Sequence, residues 1–302
     1  MWCALLLLLL LASTPLSSRA EACGGKPGGL CRVDGPKTAA DTAAWLKTMA
    51  ADRQLTQQKL NWANVPKAHD NPALSWSRSA YIAPQVHAFD RFLFNRSANK
   101  WTVQHFLQDL NDRYGGIDAL LLWPTYPNLG ADPRNQFDLF RALPGGLPAL
   151  AAVTSELLLS NVSTLWAYLF WDTGTRREGK KDEQTIVELL KQTDARGING
   201  DSLPFVPESF YSDSVAANWP IGVQAEGGTR DQALPWSTIG WGYWGRQSNP
   251  GDAAGYHWTY NTVPLVDRFK WVTDGQYLTQ LCDRYAKNKT AMVQLSWFNG
   301  ES

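Results

Sequence analysis

The sequence predicts an α/β chain whose strands line up in one parallel sheet, most of a (β/α)8 barrel of the TIM type lacking its last strand at the C-terminus. Three observations carry this. From residue 81 onward, short apolar runs alternate with amphipathic stretches in strict order, the pattern of a parallel sheet with crossover helices. No Gly-rich phosphate-binding turn follows the first run, which counts against an open dinucleotide-binding sheet. Four acids close apolar runs on the edge where a barrel keeps its chemistry.

The elements follow in order. Residues 81–88 suit a first strand. Thr102 is placed to cap a helix through Tyr114, with Val103, Phe106, Leu107 and Leu110 on one face and Gly115-Gly116 as its stop. Residues 117–123 are a buried strand ended by Pro124. A helix over 147–159 follows the Pro144-Gly145-Gly146 break, then a strand over 164–171 and a helix over 182–192. Residues 197–201 form a brief strand ending on Asp201, and 221–225 one ending on Glu226. Residues 269–273 form one ending on Asp274, followed by a helix over 277–287 and a strand over 291–297. About seven strands are counted in this way, so the barrel is expected to be short of one, as a truncated or alternatively ended version of a longer chain.

The first eighty residues read differently. Residues 4–12 are an unbroken apolar run, shorter than the roughly 20 residues a bilayer span needs. Ser18-Arg19-Ala20 behind it fits a signal-peptidase site, so residues 1–20 read as a signal peptide cut after Ala20, or after Ala22. Residues 21–80 are then a leader, Gly- and Pro-rich to about 38 and helical over 39–62, and 81–302 form the barrel domain. The chain is expected in the secretory lumen or outside the cell. Asn95, Asn161 and Asn288 head N-glycosylation sequons, and Cys23 and Cys31 bracket a segment that can close as a small disulfide loop. Cys282 is the odd thiol.

Composition narrows the function classes. The formal net charge is zero, so no basic field for nucleic acid is present, and no polybasic membrane patch. Beyond the signal no segment is apolar enough to span a bilayer. There is no GxSxG elbow, no HExxH helix and no Cys/His cluster, and the reading calls for no metal and no organic cofactor. Asp132 to Asp138 lacks the spacing of a calcium loop and reads as a turn capping the helix after it. His87 reads as a packed strand residue.

The carboxylates carry the chemical signal. Asp172, Asp201, Glu226 and Asp274 each close a predicted strand. One such acid alone is an ordinary helix cap or loop ion pair. Four on successive strands suit glycoside hydrolysis, which needs one carboxyl to protonate the leaving oxygen and another to attack or to activate water. Of 15 tryptophans, many lie in Gly- and Pro-rich stretches. Trp123, Tyr126, Trp171, Trp241, Trp244, Trp271 and Trp297 fall at or just beyond the same strand ends, where such rings stack on sugar faces or fill the core.

Residues 87–91 (HAFDR), 116–118 (GID), 122–128 (LWPTYPN), 132–138 (DPRNQFD), 171–176 (WDTGTR) and 197–201 (GINGD) resemble secreted TIM-barrel proteins of algae and protists. Those proteins in turn resemble, distantly, the glycoside hydrolase clan that contains the α-galactosidases. The resemblance covers about residues 80–300. By strand order it implies Asp201 as nucleophile and Asp274 as acid/base, with Glu226 binding substrate hydroxyls or acting as the acid instead. Asp172 and nearby Arg176 would grip sugar hydroxyls. A retaining O-glycosidase acting on an oligosaccharide or polysaccharide is therefore expected. The alternative is a non-catalytic sugar-binding or cell-surface protein on the same barrel. Two departures stand out: Asn199 occupies a position where the clan usually has Lys, and no β-sandwich domain follows.

Overall fold

The computed structural model describes residues 32–34, 38–127, 132–203, 206–226, 231–242, 265–267, 273 and 276–279. Its strands are β1 (Arg32–Asp34), β2 (Gln85–His87), β3 (Phe94–Asn95), β4 (Lys100–Trp101), β5 (Ala119–Trp123), β6 (Ser163–Leu169), β7 (Gly197–Asp201), β8 (Gly222–Glu226), β9 (Ile239–Gly242), β10 (Leu265–Asp267) and β11 (Gln276–Thr279). The helices are α1 (Thr42–Lys59), α2 (Val103–Tyr114), α3 (Gln136–Arg141), α4 (Gly146–Leu159), α5 (Asp182–Gln192) and α6 (Glu208–Ala216).

Seven strands make one sheet in the order β2-β5-β6-β7-β8-β9-β11, every neighbouring pair parallel. Spatial order therefore follows chain order with no reversal. A doubly wound sheet reverses at a switch point, whereas a barrel never does. The α/β barrel-type expectation holds on this topology, and all the C-terminal strand ends lie along one edge.

Alternation along the strands sorts their side chains onto two faces. Leu120, Leu122, Trp166, Tyr168, Ile198 and Val223 pack outward against helix residues such as Phe106, Phe140, Leu150 and Ile186. Trp166 and Phe140 stack 3.9 Å apart at 8°, an aromatic lock between β6 and α3. Ala119, Leu121, Trp123, Leu165, Ala167, Leu169 and Ile239 form the inner cluster. Small residues thin the inner face toward the strand starts. A Cβ on Gly197 would stand 2.6 Å from the Gly222 carbonyl oxygen, and one on Gly222 would stand 3.0 Å from the Trp76 ring. Glycine at 197 lets the two strand starts approach closely, and glycine at 222 leaves room for Trp76 to plug the base.

Trp76 belongs to a 3-10 helix, Pro72–Arg78, started by Asn71, whose side chain accepts the Ala73 N–H at 3.0 Å. The segment before it is tied to residues far along the chain. Ala68 N–H donates to the Pro235 carbonyl at 2.9 Å, the His69 ring lies 2.8 Å from the Leu234 carbonyl, and the Tyr211 hydroxyl donates to the Lys67 carbonyl at 3.2 Å. Residues 67–80 thus pack as the floor of the barrel.

Several elements depart from the sequence reading. The first strand is only Gln85–His87, because Pro84 lacks an N–H and Tyr81 and Ile82 instead donate to the Asp118 carboxylate at 3.0 and 2.9 Å. Thr102 does stand at the start of α2, but its hydroxyl donates to the Phe92 carbonyl and makes no helix cap. Gly115 ends that helix in the left-handed conformation, φ 79°. Helix α6 and strand β9 have no counterpart in the sequence reading, whereas α3 is the helix expected after the capping turn at 132–138. Residues 276–279 are a strand pairing with β9 where periodicity suggested a helix, since a four-residue run with two apolar members fits either.

Candidate functional site

The carboxyl edge of the sheet gathers a short chain of aromatic and acidic side chains. Trp123 ends β5 on the inner face and is buried. Tyr126, three residues on, meets it edge-to-face at 5.5 Å and 68°. Tyr126 in turn lies 5.9 Å from Trp171 at 33°, and the Trp171 indole N–H donates to the Asp201 carboxylate at 3.3 Å. Tyr126 and Trp171 are exposed, whereas Asp201 is half-buried at the end of β7. Three predicted rings and one predicted carboxylate are thereby brought into one row across the ends of strands two to four.

Register places Asp201 on the inner face. Ala167 pairs with Asn199 and Leu169 with Asp201, and Ala167 and Leu169 belong to the inner cluster. On the other side Asn199 pairs with Gln224. Their amides bond, Asn199 Nδ2 donating to Gln224 Oε1 at 2.8 Å, and both side chains are buried beneath Asp201. Glu226 lies two residues beyond Gln224, at the end of β8, and pairs with Trp241. Asp201 and Glu226 therefore end adjacent strands at matching register.

The sixth strand of the sheet is β9, and residues 265–279 contribute the seventh, β11, which starts two residues after Asp274. The acid/base role expected of Asp274 falls on a residue outside the described ones. Asp274, Trp271, Trp297, Trp244, Asn288, Cys23, Cys31 and Cys282 all lie outside the described residues.

Asp172 and Arg176, expected to grip sugar hydroxyls, both make hydrogen bonds within the protein. Asp172 is 1 % exposed. Its Oδ2 accepts the Gln136 N–H at 2.9 Å and its Oδ1 the Thr175 hydroxyl at 2.6 Å, while Arg177 donates to its carbonyl. Buried carboxylates persist where such donors replace water. Arg176 turns away to Asp138, 2.5 Å from Oδ1, and its own N–H donates to the Pro133 carbonyl.

Those contacts belong to a polar tie between the loops after β5 and β6. Asn135 begins α3 with a capping box, accepting the Asp138 N–H at 2.8 Å while Asp138 accepts the Asn135 N–H at 3.2 Å. The capping turn expected at Asp132 to Asp138 is present. Asn135 also donates to Glu178 at 2.7 Å, and Arg141 grips Glu178 through two nitrogens at 2.8 and 2.9 Å. The Arg141 guanidinium holds the Glu178 carboxyl below the usual range. Burial pushes the Asp138 carboxyl up, but hydrogen bonds from Arg176, Asn135 and Arg141 outweigh it and leave it lowered.

Gln136 is the residue that sequence reading missed. It is buried, its Oε1 accepts the Leu169 N–H at 2.7 Å, and its Nε2 donates to the Leu169 carbonyl at 2.8 Å. The side chain imitates a strand partner and splices α3 to the end of β6. Only its place inside the capping motif hinted at it.

Among the described residues no group of three or more His, Cys, Asp or Glu could hold a metal ion, and no helix is long and apolar enough to cross a membrane. Asn95 and Asn161 are both exposed, the former at the β3–β4 hairpin and the latter in the turn after α4 with φ 60°.

No protein-family model matches the chain, and no curated protein matches it in sequence. Solved structures with some likeness include a maltogenic α-amylase from Thermotoga neapolitana, 15 % identical with a TM-score of 0.37, covering 54 % of this chain and 49 % of that one. An α-N-acetylgalactosaminidase from Bifidobacterium bifidum is 10 % identical with a TM-score of 0.46, covering 84 % and 52 %. Tryptophan synthase from M. tuberculosis is 12 % identical with a TM-score of 0.38, covering 70 % and 79 %. The chain thus spans about half the length of the amylase it matches.

Proposed function

We propose that this chain is a secreted carbohydrate-active barrel, and specifically a retaining O-glycoside hydrolase in which Asp201 attacks the anomeric carbon. The observation that carries the reading is the Asp201 carboxylate at the C-terminal end of the fourth strand, set beside the exposed rings of Tyr126 and Trp171. A carboxylate next to an aromatic face suits a pyranose, whose C–H face stacks while its anomeric carbon meets the acid. Glu226 is favoured over Asp274 as the second carboxyl. Neighbouring strands run about 4.8 Å apart, and retention asks for carboxyls about 5–5.5 Å apart. Glu226 would protonate the leaving oxygen and then activate water. Glycans on Asn95, Asn161 and Asn288, a disulfide between Cys23 and Cys31, and an oligosaccharide or polysaccharide partner belong to the same reading.

The test is hydrolysis of a panel of aryl α- and β-glycosides by the secreted protein beside Asp201→Asn, Glu226→Gln and Asp274→Asn. Turnover lost in the first two and kept in the third supports the assignment. Loss in Asp274→Asn with Glu226→Gln active returns the acid/base role to Asp274. One observation favours a non-catalytic sugar-binding protein: Asp172, one of the four strand-end acids, is consumed by the scaffold. An inert wild type whose Trp fluorescence shifts with oligosaccharide would support that reading.

A further inference from the structure

Resting on the reading of Asp201 as the reactive carboxylate, we propose that Trp171 is the positioning residue of this site, its indole N–H holding the Asp201 carboxylate in one orientation. The indole nitrogen is a donor only, and the carboxylate oxygen 3.3 Å away is an acceptor. With Oδ2 held, the other oxygen is the one presented to substrate.

The ring is restrained from three directions. Tyr126 lies against it at 5.9 Å and is itself set by the buried Trp123. The backbone on either side is pinned, Thr173 N–H donating to the Trp171 carbonyl at 2.9 Å and Asp172 N–H to the Leu169 carbonyl at 3.0 Å. The buried Asp172 carboxylate then fastens this turn to the start of α3 through Gln136. Trp171 is nevertheless 37 % exposed. A tryptophan that only filled space would be enclosed like Trp166, and one that only offered a stacking face would gain nothing from such anchoring. The restraint makes sense if the direction of the N–H matters. Asp172 and Gln136, which do not touch Asp201, act through this ring.

Two readouts test the proposal. In the first, side-chain couplings of labelled Asp201 report its χ1 rotamer by NMR in the wild type and in Trp171→Phe, which keeps a ring and loses the donor. One rotamer in the wild type and averaged couplings in Trp171→Phe support the proposal. Identical couplings overturn it, as does a Trp171 indole signal that does not move in Asp201→Ala. In the second, kcat of Trp171→Phe on aryl glycosides is expected to fall about 10–100-fold. KM should stay within about twofold, and Trp171→His should recover part of the loss. A raised KM with unchanged kcat makes Trp171 a stacking face alone and overturns the proposal. A wild type inert on every glycoside removes the glycosidase reading, while the NMR comparison still decides the positioning role.

Discussion

Replacing Asp172 by alanine tests whether the acid after the third strand serves the scaffold or the ligand. The substitution strands two donors, the buried Gln136 N–H and the half-buried Thr175 hydroxyl. A buried donor left without a partner costs about 1–3 kcal/mol. Gln136 bears that in full, whereas Thr175 regains some water, and removing a buried charge returns part of its desolvation cost. The net expectation is a loss of about 2–3 kcal/mol of stability. For a domain of this size each kcal/mol moves Tm by about 2–4 °C, so Tm should fall by about 5–10 °C. Asp172→Asn, which keeps one acceptor and turns an NH2 toward the other donor, should lose about 1–2 kcal/mol. Guanidinium unfolding followed by Trp fluorescence, beside a titration of the folded fraction with oligosaccharide, reads both sides. A folding midpoint unchanged in Asp172→Ala, with affinity for sugar lost, would refute the scaffold role and restore the gripping one.

Other expectations follow from the packing. Gly197→Ala forces a Cβ against the Gly222 carbonyl at 2.6 Å between two paired strands, and should cost about 1–3 kcal/mol or more in the same unfolding assay. Gly115→Ala meets no neighbour and suffers only its left-handed φ of 79°, about 1–2 kcal/mol. Trp166→Ala, which empties the stack on Phe140, should cost about 3–5 kcal/mol. The Arg141 guanidinium lowers the Glu178 carboxyl in the fold, so the pair contributes stability above the ordinary glutamate value of about 4.3. That contribution is lost as pH falls through the lower folded value, and Glu178→Gln should flatten this acid limb in melts between neutral and acid pH.

Long periodic elements were readable in the chain because their signals are local. Residues 182–192 and 197–201 are a helix and a strand with the bounds that periodicity and composition suggest, and Asp201 falls where the alternation puts it. What escaped depends on partners far away. Strand β9 has two bulky members, Ile239 and Trp241, and exists because Gln224, Ala225 and Glu226 pair with it. Asp172 and Asp201 look alike in sequence, each an acid after an apolar run. Only the tertiary position of Gln136, 36 residues earlier, makes one of them a buried anchor. The base plug was hidden for the same reason: Trp76 lies in a stretch with no strand signal, and Gly222, more than a hundred residues on, makes room for it.

The division of labour among the acids has an energetic logic. On the proposed reading a reactive carboxylate stays partly solvated and weakly tethered and contributes little to stability; Asp201 is half-buried and accepts a hydrogen bond of 3.3 Å from the Trp171 indole. Its orientation must then come from elsewhere. On the proposed reading the loops after β5 and β6 supply it through groups that do not touch Asp201: the Arg141–Glu178 pair, the Asn135–Glu178 hydrogen bond and the Asp172–Gln136 splice. Each ties one loop to the other, and their common product is a fixed turn at residues 169–173 carrying Trp171. Weakening any of them should therefore loosen the ring before it unfolds the sheet. In Glu178→Gln at neutral pH, Trp171 should become more accessible to acrylamide quenching at temperatures well below Tm. Quenching that rises only with global unfolding would mean that the ties serve the fold as a whole and leave the site untouched.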